Sequence, residues 1–216
     1  MRALVFANGE LNDGPAVRAA LDGAGDALIV AADGGARLAL ECGVTPALVI
    51  GDLDSVSPDV LARLEAQGAQ VQRVPAEKDE TDLELALLEA ARRGAQSITL
   101  IGAAGGRLDH MLANFYLLAM PELRGLDVRA VAGAQALWLA WPGEHTLTGA
   151  PGDLISLIPL TPEASGIVTE GLEYPLRRES LYAGAARGVS NVMLGATARV
   201  TFDDGLLFIV HTMERA

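Results

Sequence analysis

The chain contains one cysteine, Cys42, so it cannot form an internal disulfide bond. Cys42 lies in a helical pattern just before Gly43, and we predict that it is a small core residue. No apolar run approaches the roughly 20 residues that span a bilayer. Residues 1–9 are too short for a signal peptide and predict a first strand. We therefore expect no membrane partner and a cytoplasmic location.

Basic runs are also lacking, and the formal net charge is −12. A nucleic-acid surface needs clustered positive charge to neutralise phosphates, so we expect no nucleic-acid partner. Hydrophobic residues make up 50% of the chain and charged residues 20%, which is typical of a globular protein with a substantial core. The acidic balance is compatible with a cation-dependent site, but taken alone it favours a surface that only keeps the protein soluble.

Apolar runs and helical patterns alternate in the first part of the chain. Strands buried on both faces are predicted at residues 4–7, 27–31, 48–50, 71–74, 97–101 and 128–131. Ser57 and Thr81 predict the starts of two helices. Residues 108–120 predict another helix, which Pro121 ends. This alternation predicts a Rossmann-like α/β domain with a parallel sheet over residues 1–132.

The helical period disappears after about residue 132. Short apolar runs separated by turn signals follow at residues 136–140, 154–160, 167–168, 199–202 and 206–210. This spacing is typical of an antiparallel sandwich or barrel, and we predict a small β-sandwich domain over residues 133–216. The predicted fold class is therefore α/β followed by all-β.

Acidic or glycine-rich clusters follow four of the apolar runs in the first domain. They lie at residues 32–35, 51–55, 77–82 and 102–110. In an open parallel sheet, ligands bind at the carboxyl ends of the strands, so we expect the four clusters to form one site. Aspartates that bind a hard cation, beside glycines and an arginine, are typical of a site for a metal-bound phosphate chain.

Three aspartates are candidate metal ligands. Asp52 and Asp54 lie two residues apart, and their side chains point the same way if the strand geometry persists. Asp82 is predicted at the first position of a helix, where the helix dipole favours negative charge. The alternative is that Asp52 and Ser55 only cap the next helix and that Asp82 only favours a helix start.

Lys78 lies on the loop before that helix, where it can offset charge on a transferring phosphoryl group. The alternative is a surface lysine paired with Glu77 or Glu80. Gly102 and Gly105 would let the backbone approach a ligand closely, although the Gly-Lys-Ser/Thr ending of a P-loop is absent.

Polar residues at the start of the helix at residues 108–120 are candidates for a phosphate or ribose clamp. They are Arg107, Asp109 and His110. A structural role is the more common one for a lone histidine. His145 and His211 have no partner that the sequence identifies, and no Ser-His-Asp order or Cys/His metal spacing is present.

Together these clusters resemble those of the thiamine pyrophosphokinase (thiamine diphosphokinase) family. The matching segments are residues 32–35, 43–46, 51–55, 77–86, 105–110, 113–114, 171–176 and 188–191. The resemblance spans nearly the whole chain. It implies an enzyme that transfers a pyrophosphoryl group from ATP to the hydroxyl of thiamine with Mg²⁺. The products are thiamine diphosphate and AMP, which places the reaction in thiamine diphosphate biosynthesis.

The resemblance also implies roles for individual residues. Asp52, Asp54 and Asp82 would hold the metal. The residues expected around the nucleotide are Asp33, Ser55, Lys78, Thr81, Gly102, Gly105, Arg107, Asp109, His110 and Asn114. The alcohol proton would pass to Asp79, to Asp82 or to a metal-bound water.

Tyr174, Ser190 and Asn191 in the second domain would bind thiamine. Family members are homodimers, and each site combines the α/β domain of one chain with the β domain of the other. Two other functions remain open at this point. One is a metal-dependent phosphohydrolase with the same carboxylates, and the other is a nucleotide-binding regulatory module. Loss of an aspartate or of Lys78 would have favoured the module, and all are present.

Overall fold

The computed structural model describes residues 1–213. The chain forms two compact units, of which the first comprises Met1–Gly133 and the second comprises the described residues from Ala134 onward. The last three residues of the predicted second domain, 214–216, lie outside the described residues. Among the described residues, no helix has the length and apolarity that crossing a membrane requires.

A parallel sheet forms the centre of the first unit. Its strands are β1 (Arg2–Phe6), β2 (Leu28–Ala32), β3 (Leu48–Gly51), β4 (Gln70–Arg73), β5 (Ser97–Ile101) and β6 (Asp127–Ala132). Their order across the sheet is β4-β3-β2-β1-β5-β6, and each neighbouring pair is parallel. The chain builds the sheet outward from β1 to β4 and then crosses to β5 on the other side of β1. The strand order therefore reverses between β1 and β5, where open parallel sheets bind their ligands.

Helices connect these strands. They are α1 (Pro15–Asp22), α2 (Gly35–Glu41), α3 (Pro58–Ala66), α4 (Asp82–Arg92) and α5 (Leu108–Tyr116). The Ser57 hydroxyl accepts a hydrogen bond from the Val60 N–H, and the Thr81 hydroxyl accepts one from the Glu84 N–H. These N-caps begin α3 and α4 at the predicted positions, because local side-chain to backbone bonds define a helix start.

The predicted helix at residues 108–120 is too long. Regular α-helix ends at Tyr116, and short 3₁₀ turns follow at Leu117–Ala119 and Pro121–Leu123. Met120 between them is extended, with φ −60° and ψ 134°, because the residue before a proline is disfavoured in the helical region.

Two burial predictions are wrong. The strand predicted at residues 71–74 is the edge strand β4, and most of it is exposed rather than buried on both faces. Cys42 is half-buried rather than a core residue, and burial raises the pKa of its thiol. Helix α1 had no sequence prediction, since its eight residues are too few for a clear helical period.

A buried carboxylate, Glu89, and two arginines connect the end of α4 to the edge strand β4. Arg92 and Arg93 donate hydrogen bonds to Glu89, and Arg93 also donates to Gln70 of β4. The hydrogen bonds from Arg92 and then Arg93 outweigh burial and lower the pKa of Glu89 to about 2. This carboxylate stabilises the fold above its usual pKa of 4.5, and that stabilisation is lost as the pH falls toward 2.

Antiparallel strands form the second unit. They are β7 (Gln135–Ala140), β8 (Gly143–Thr148), β9 (Leu154–Pro159), β10 (Glu163–Glu170), β11 (Arg177–Tyr182), β12 (Asn191–Val192), β13 (Thr197–Phe202) and β14 (Leu207–Thr212). One sheet has the order β12-β9-β14-β7 and the other β11-β10-β13-β8. Buried side chains of both sheets, such as Ile155, Ile167 and Phe202, form one core. The predicted β-sandwich, and with it the fold class, is confirmed.

Both remaining histidines have partners. His211 Nε2 lies 2.7 Å from Asp153 Oδ2, and both side chains are buried. His145 Nε2 lies 2.7 Å from the Trp141 carbonyl oxygen, and its ring stacks on Phe202. The sequence did not identify the partner of His211, because 58 residues separate it from Asp153 and no local pattern signals the pair.

Candidate active site

A cleft of about 500 Å³ lies at the carboxyl edge of the parallel sheet, where the strand order reverses. It brings together most of the predicted residues of the first domain. These are Asp33, Asp52, Asp54, Ser55, Lys78, Thr81, Asp82, Gly102, Gly105, Arg107, His110 and Asn114. Asn8 and Gly9 also line the cleft and had no predicted role. Their position directly after β1 was the available signal, since the predicted site residues follow the ends of four other strands of the same sheet.

Three carboxylates meet in this cleft. One oxygen from each of Asp33, Asp52 and Asp82 lies within 4.8 Å of the other two. Asp33 is buried with φ at +46°, and its N–H donates to the Ile50 carbonyl oxygen at 2.9 Å. Asp33 Oδ1 accepts a hydrogen bond of 3.4 Å from the Ser55 N–H. The backbone therefore fixes Asp33 in a conformation uncommon for residues other than glycine, with its side chain toward the other two aspartates.

The electrostatics of Asp82 favour a cation at this position. Burial raises the pKa of its carboxyl, Asp52 and Asp33 raise it further, and Lys78 opposes them. Asp82 Oδ1 is buried and has no aligned hydrogen-bond donor among the described residues, although Lys78 Nζ lies 3.0 Å away. That ammonium is aligned instead on the Pro75 carbonyl oxygen at 3.1 Å. Lys78 and Asp82 therefore form a close ion pair inside the cleft.

Charge and donor type both fit a divalent metal ion. Three carboxylates and one ammonium leave two negative charges in excess, which one divalent cation would neutralise. All the ligand atoms are carboxylate oxygens, which Mg²⁺ and Ca²⁺ prefer. Gly51 leaves the space that the carboxylates need. A Cβ atom there would lie 3.1 Å from Asp82 Cγ and 3.0 Å from Asp33 Cβ.

Asp54 lines the cleft outside this cluster of three. Strand β3 ends at Gly51, and Leu53 has φ at +64°, so the strand geometry does not continue to Asp54. Asp54 Oδ1 instead accepts a hydrogen bond of 2.9 Å from the Ser55 hydroxyl. Asp79 is exposed and is not among the described residues that line the cleft.

The helix that follows β5 forms another wall. Arg107 makes a bidentate ion pair with Asp109, with nitrogen–oxygen distances of 2.6 and 3.1 Å. That guanidinium and the His110 N–H hold the pKa of Asp109 at about 2. Arg107 and His110 line the cleft, whereas Asp109 orients Arg107 from its side. Asn114 Nδ2 donates to the Ala103 carbonyl oxygen at 3.0 Å and so holds the glycine-rich loop to α5.

The second unit has its own cleft, of about 550 Å³. Tyr174 and Asn191 line it, together with Arg177 and Arg187. Ser190 is not among the described lining residues. It has φ at +58°, and its N–H donates to the Ser156 hydroxyl at 3.0 Å.

An open parallel sheet with clustered carboxylates, a lysine and a glycine-rich loop at its switch point defines a class of α/β proteins that bind cations and phosphates. The comparisons with known proteins identify the family. A model of the thiamin pyrophosphokinase catalytic domain matches residues 24–129, and a model of the thiamin pyrophosphokinase vitamin B1 binding domain matches residues 144–207. The two models together match most of the chain, which therefore belongs to the thiamine pyrophosphokinase family.

Individual relatives agree with this assignment. A thiamine pyrophosphokinase of Bacillus subtilis (strain 168) is 28% identical over 188 residues, which cover 87% of this chain and 88% of the relative. The crystal structure of thiamine pyrophosphokinase from Bacillus subtilis has a TM-score of 0.87 at 27% identity and matches over the full length of both chains. A thiamin pyrophosphokinase family protein of Enterococcus faecalis has a TM-score of 0.86 at 29% identity, again over both full lengths. The family predicted from the sequence is confirmed, and the chain is an enzyme of that family.

Proposed function

We propose that this enzyme transfers the pyrophosphoryl group of ATP to the hydroxyl of thiamine and releases AMP. In this proposal residues 1–132 bind ATP and the metal, and residues 133–216 bind thiamine. The observation that carries it is the cluster of Asp33, Asp52 and Asp82 beside Lys78 and a glycine-rich loop. The reaction needs ATP as the donor, and the cytoplasm supplies ATP. We therefore propose a cytoplasmic location.

The site's acidic cluster would hold Mg²⁺. The sequence predicts Asp52, Asp54 and Asp82 as its ligands, and the geometry adds Asp33 as a candidate. Asp54 lines the same cleft and accepts a hydrogen bond from the Ser55 hydroxyl, and its carboxylate would add to the oxygen ligands available to the cation. When bound, the cation supplies neutralisation of the negatively charged phosphate oxygens.

The chain's own residues then orient the reactants. Lys78 and Arg107 both line the cleft and provide positive charge there, where they would bind phosphate oxygens. Gly102 and Gly105 have φ at +75° and +89°, which lets backbone N–H groups face the ligand. The thiamine oxygen attacks the β-phosphorus. The bond between that phosphorus and the leaving AMP oxygen breaks, and the alcohol proton is removed. Of the three candidate acceptors for that proton, which are Asp79, Asp82 and a metal-bound water, Asp79 is not among the described residues that line the cleft, which favours the other two.

A metal-dependent phosphohydrolase would use the same carboxylates to activate water. The two functions therefore differ in whether water or thiamine accepts the transferred group. Purified protein with ATP and Mg²⁺ should form AMP only when thiamine is added, with one thiamine diphosphate per AMP. AMP or ADP formation at the same rate without thiamine would contradict the transferase and support the hydrolase.

We also propose a homodimer with its sites at the subunit junction. Helix α5 has no buried residue among its nine, although three large apolar side chains recur at every fourth position. Leu108, Leu112 and Tyr116 are 71%, 56% and 59% exposed. This stripe starts beside Arg107 and His110 of the nucleotide cleft. A second copy that covers α5 would bury the stripe and bring its own β-sandwich residues to the cleft.

Replacing Leu112 by glutamate should therefore weaken the dimer by at least about tenfold, because a charge would be buried against an apolar surface. Analytical ultracentrifugation over a range of concentrations measures this, and activity per chain should fall as monomer appears. Ala62→Glu on the exposed face of α3 adds the same charge and should leave both unchanged. A Leu112→Glu protein that dimerises as tightly as the control would exclude α5 from the interface.

A further inference from the structure

The cleft of the second unit owes its shape to a short backbone ladder. The Leu194 N–H donates to the Gly171 carbonyl oxygen at 2.9 Å, and the Glu173 N–H donates to the Val192 carbonyl oxygen at 3.0 Å. These bonds pair residues 171–173 with residues 192–194 in an antiparallel arrangement. The next residue on one side is Tyr174, whose backbone would ordinarily pair with the continuing partner strand.

The partner strand does not continue, because Ser190 turns away. Its left-handed conformation, with φ at +58°, directs its N–H to the Ser156 hydroxyl. The side chain of Asn191 takes over the pairing. Asn191 Oδ1 accepts from the Tyr174 N–H at 3.0 Å, and Asn191 Nδ2 donates to the Tyr174 carbonyl oxygen at 2.7 Å. The carboxamide therefore acts as a substitute peptide group that adds one more step to the ladder.

This arrangement uses most of the hydrogen-bonding capacity of Asn191. Its Oδ1 also accepts from the Val192 N–H at 3.0 Å, so both acceptor positions are occupied. One Nδ2 hydrogen is bound to Tyr174 as well. Tyr174 differs from Asn191, because its backbone N–H and carbonyl are both hydrogen-bonded while its side chain takes no part in the ladder. The residue is 65% exposed and lines the cleft.

We infer that Asn191 is a positioning residue, which fixes the backbone of Tyr174 so that the exposed tyrosine ring forms the contact with thiamine. The inference rests on the proposed function, in which thiamine is the acceptor bound by this unit. A flat cationic ring gains from stacking on an aromatic face, and a tyrosine whose backbone is already fixed loses less entropy on binding. Only a carboxamide of this length supplies the donor and the acceptor that one peptide group requires.

A double-mutant cycle tests the inference. Asn191→Ala should raise the thiamine KM roughly five- to tenfold, and the ATP KM should stay within about twofold. Tyr174→Ala should raise the thiamine KM at least as much, and Asn191→Ala should add nothing further in that background. Independent, multiplying effects would show that Asn191 contacts thiamine itself, which would overturn the inference.

Asn191→Asp keeps the shape of the side chain but places an acceptor against the Tyr174 carbonyl oxygen. It should reproduce the effect of Asn191→Ala, and it serves as the second variant if the alanine protein folds poorly. Tyr182→Ala removes another exposed tyrosine of the same unit and should leave both KM values unchanged.

Fluorotyrosine incorporation gives a signature that direct binding of thiamine by Asn191 would not produce. The chain has only three tyrosines, so their signals can be resolved. In fluorine NMR of the full protein, Asn191→Ala should shift the Tyr174 signal without thiamine present, and thiamine should shift it in the unsubstituted protein. A Tyr174 signal that moves in neither case would overturn the inference. Failure of the proposed function would be seen separately, as absence of thiamine-dependent AMP formation in the unsubstituted enzyme.

Discussion

Replacing Asp82 by asparagine should lower kcat/KM for thiamine diphosphate formation by at least about 10²- to 10³-fold. Asp82 contributes a buried oxygen with no aligned donor to the cluster with Asp33 and Asp52, and asparagine keeps the shape but removes the charge. The carboxyl has a raised pKa, which means that its ionised form disfavours the metal-free fold. The melting temperature of the metal-free variant should therefore hold or rise, while turnover is lost.

Metal binding can be followed without activity. Mg²⁺ should raise the melting temperature of the unsubstituted protein, because it binds only the folded state, and the Asp82→Asn protein should not respond. Glu80→Gln removes an exposed charge from the same loop and should behave like the unsubstituted protein. An Asp82→Asn enzyme with near-normal turnover at limiting Mg²⁺ would show that the metal role of Asp82 is wrong.

The second large effect is expected at Lys78, which is the only lysine of the chain. Lys78→Gln should lower kcat by about 10²- to 10³-fold and change the thiamine KM much less, since the ammonium offsets charge that develops on the transferred group. The side chain is 13% exposed and lies 3.0 Å from Asp82, so it is held in the cleft rather than free on the surface. Lys78→Arg keeps the charge and should recover part of the activity.

A labelling experiment exploits the single lysine. Reductive methylation with isotopically labelled formaldehyde marks only Lys78 and the terminal amine of Met1, so the NMR spectrum should contain two assignable signals. Addition of ATP with Mg²⁺ should shift the Lys78 signal and leave the Met1 signal in place. A Lys78 signal that does not respond, or a fully active Lys78→Gln enzyme, would contradict its role in the nucleotide cleft.

Local signals explain why much of this site could be predicted from the sequence. Ser57 and Thr81 cap their helices through bonds that span three residues, and the clusters follow strand ends that the apolar runs mark clearly. The strands of the sandwich that were not predicted are β8, β11 and β12, because their sequences lack a clear apolar run. Strand β11 begins with Arg177 and Arg178 followed by glutamate, and β12 has two residues.

Other features depend on backbone conformations that residue types do not reveal. Asp33 joins Asp52 because it adopts a left-handed conformation, and Asp54 lies apart because Leu53 does so too. Asn191 pairs with a backbone 17 residues away in the chain, which only the folded sandwich brings into contact. Motif resemblance predicts that such residues belong to a site, whereas the contacts between them depend on the folded backbone.

In the proposed reaction a pyrophosphoryl group moves as one unit to thiamine. This transfer is tested most directly with two samples of ATP, one radiolabelled at the β-phosphorus and one at the γ-phosphorus, each converted in a single turnover. Both labels should appear in thiamine diphosphate, and AMP should be the unlabelled product. Release of either label as free phosphate or pyrophosphate, or formation of ADP with thiamine monophosphate, would contradict the proposed reaction.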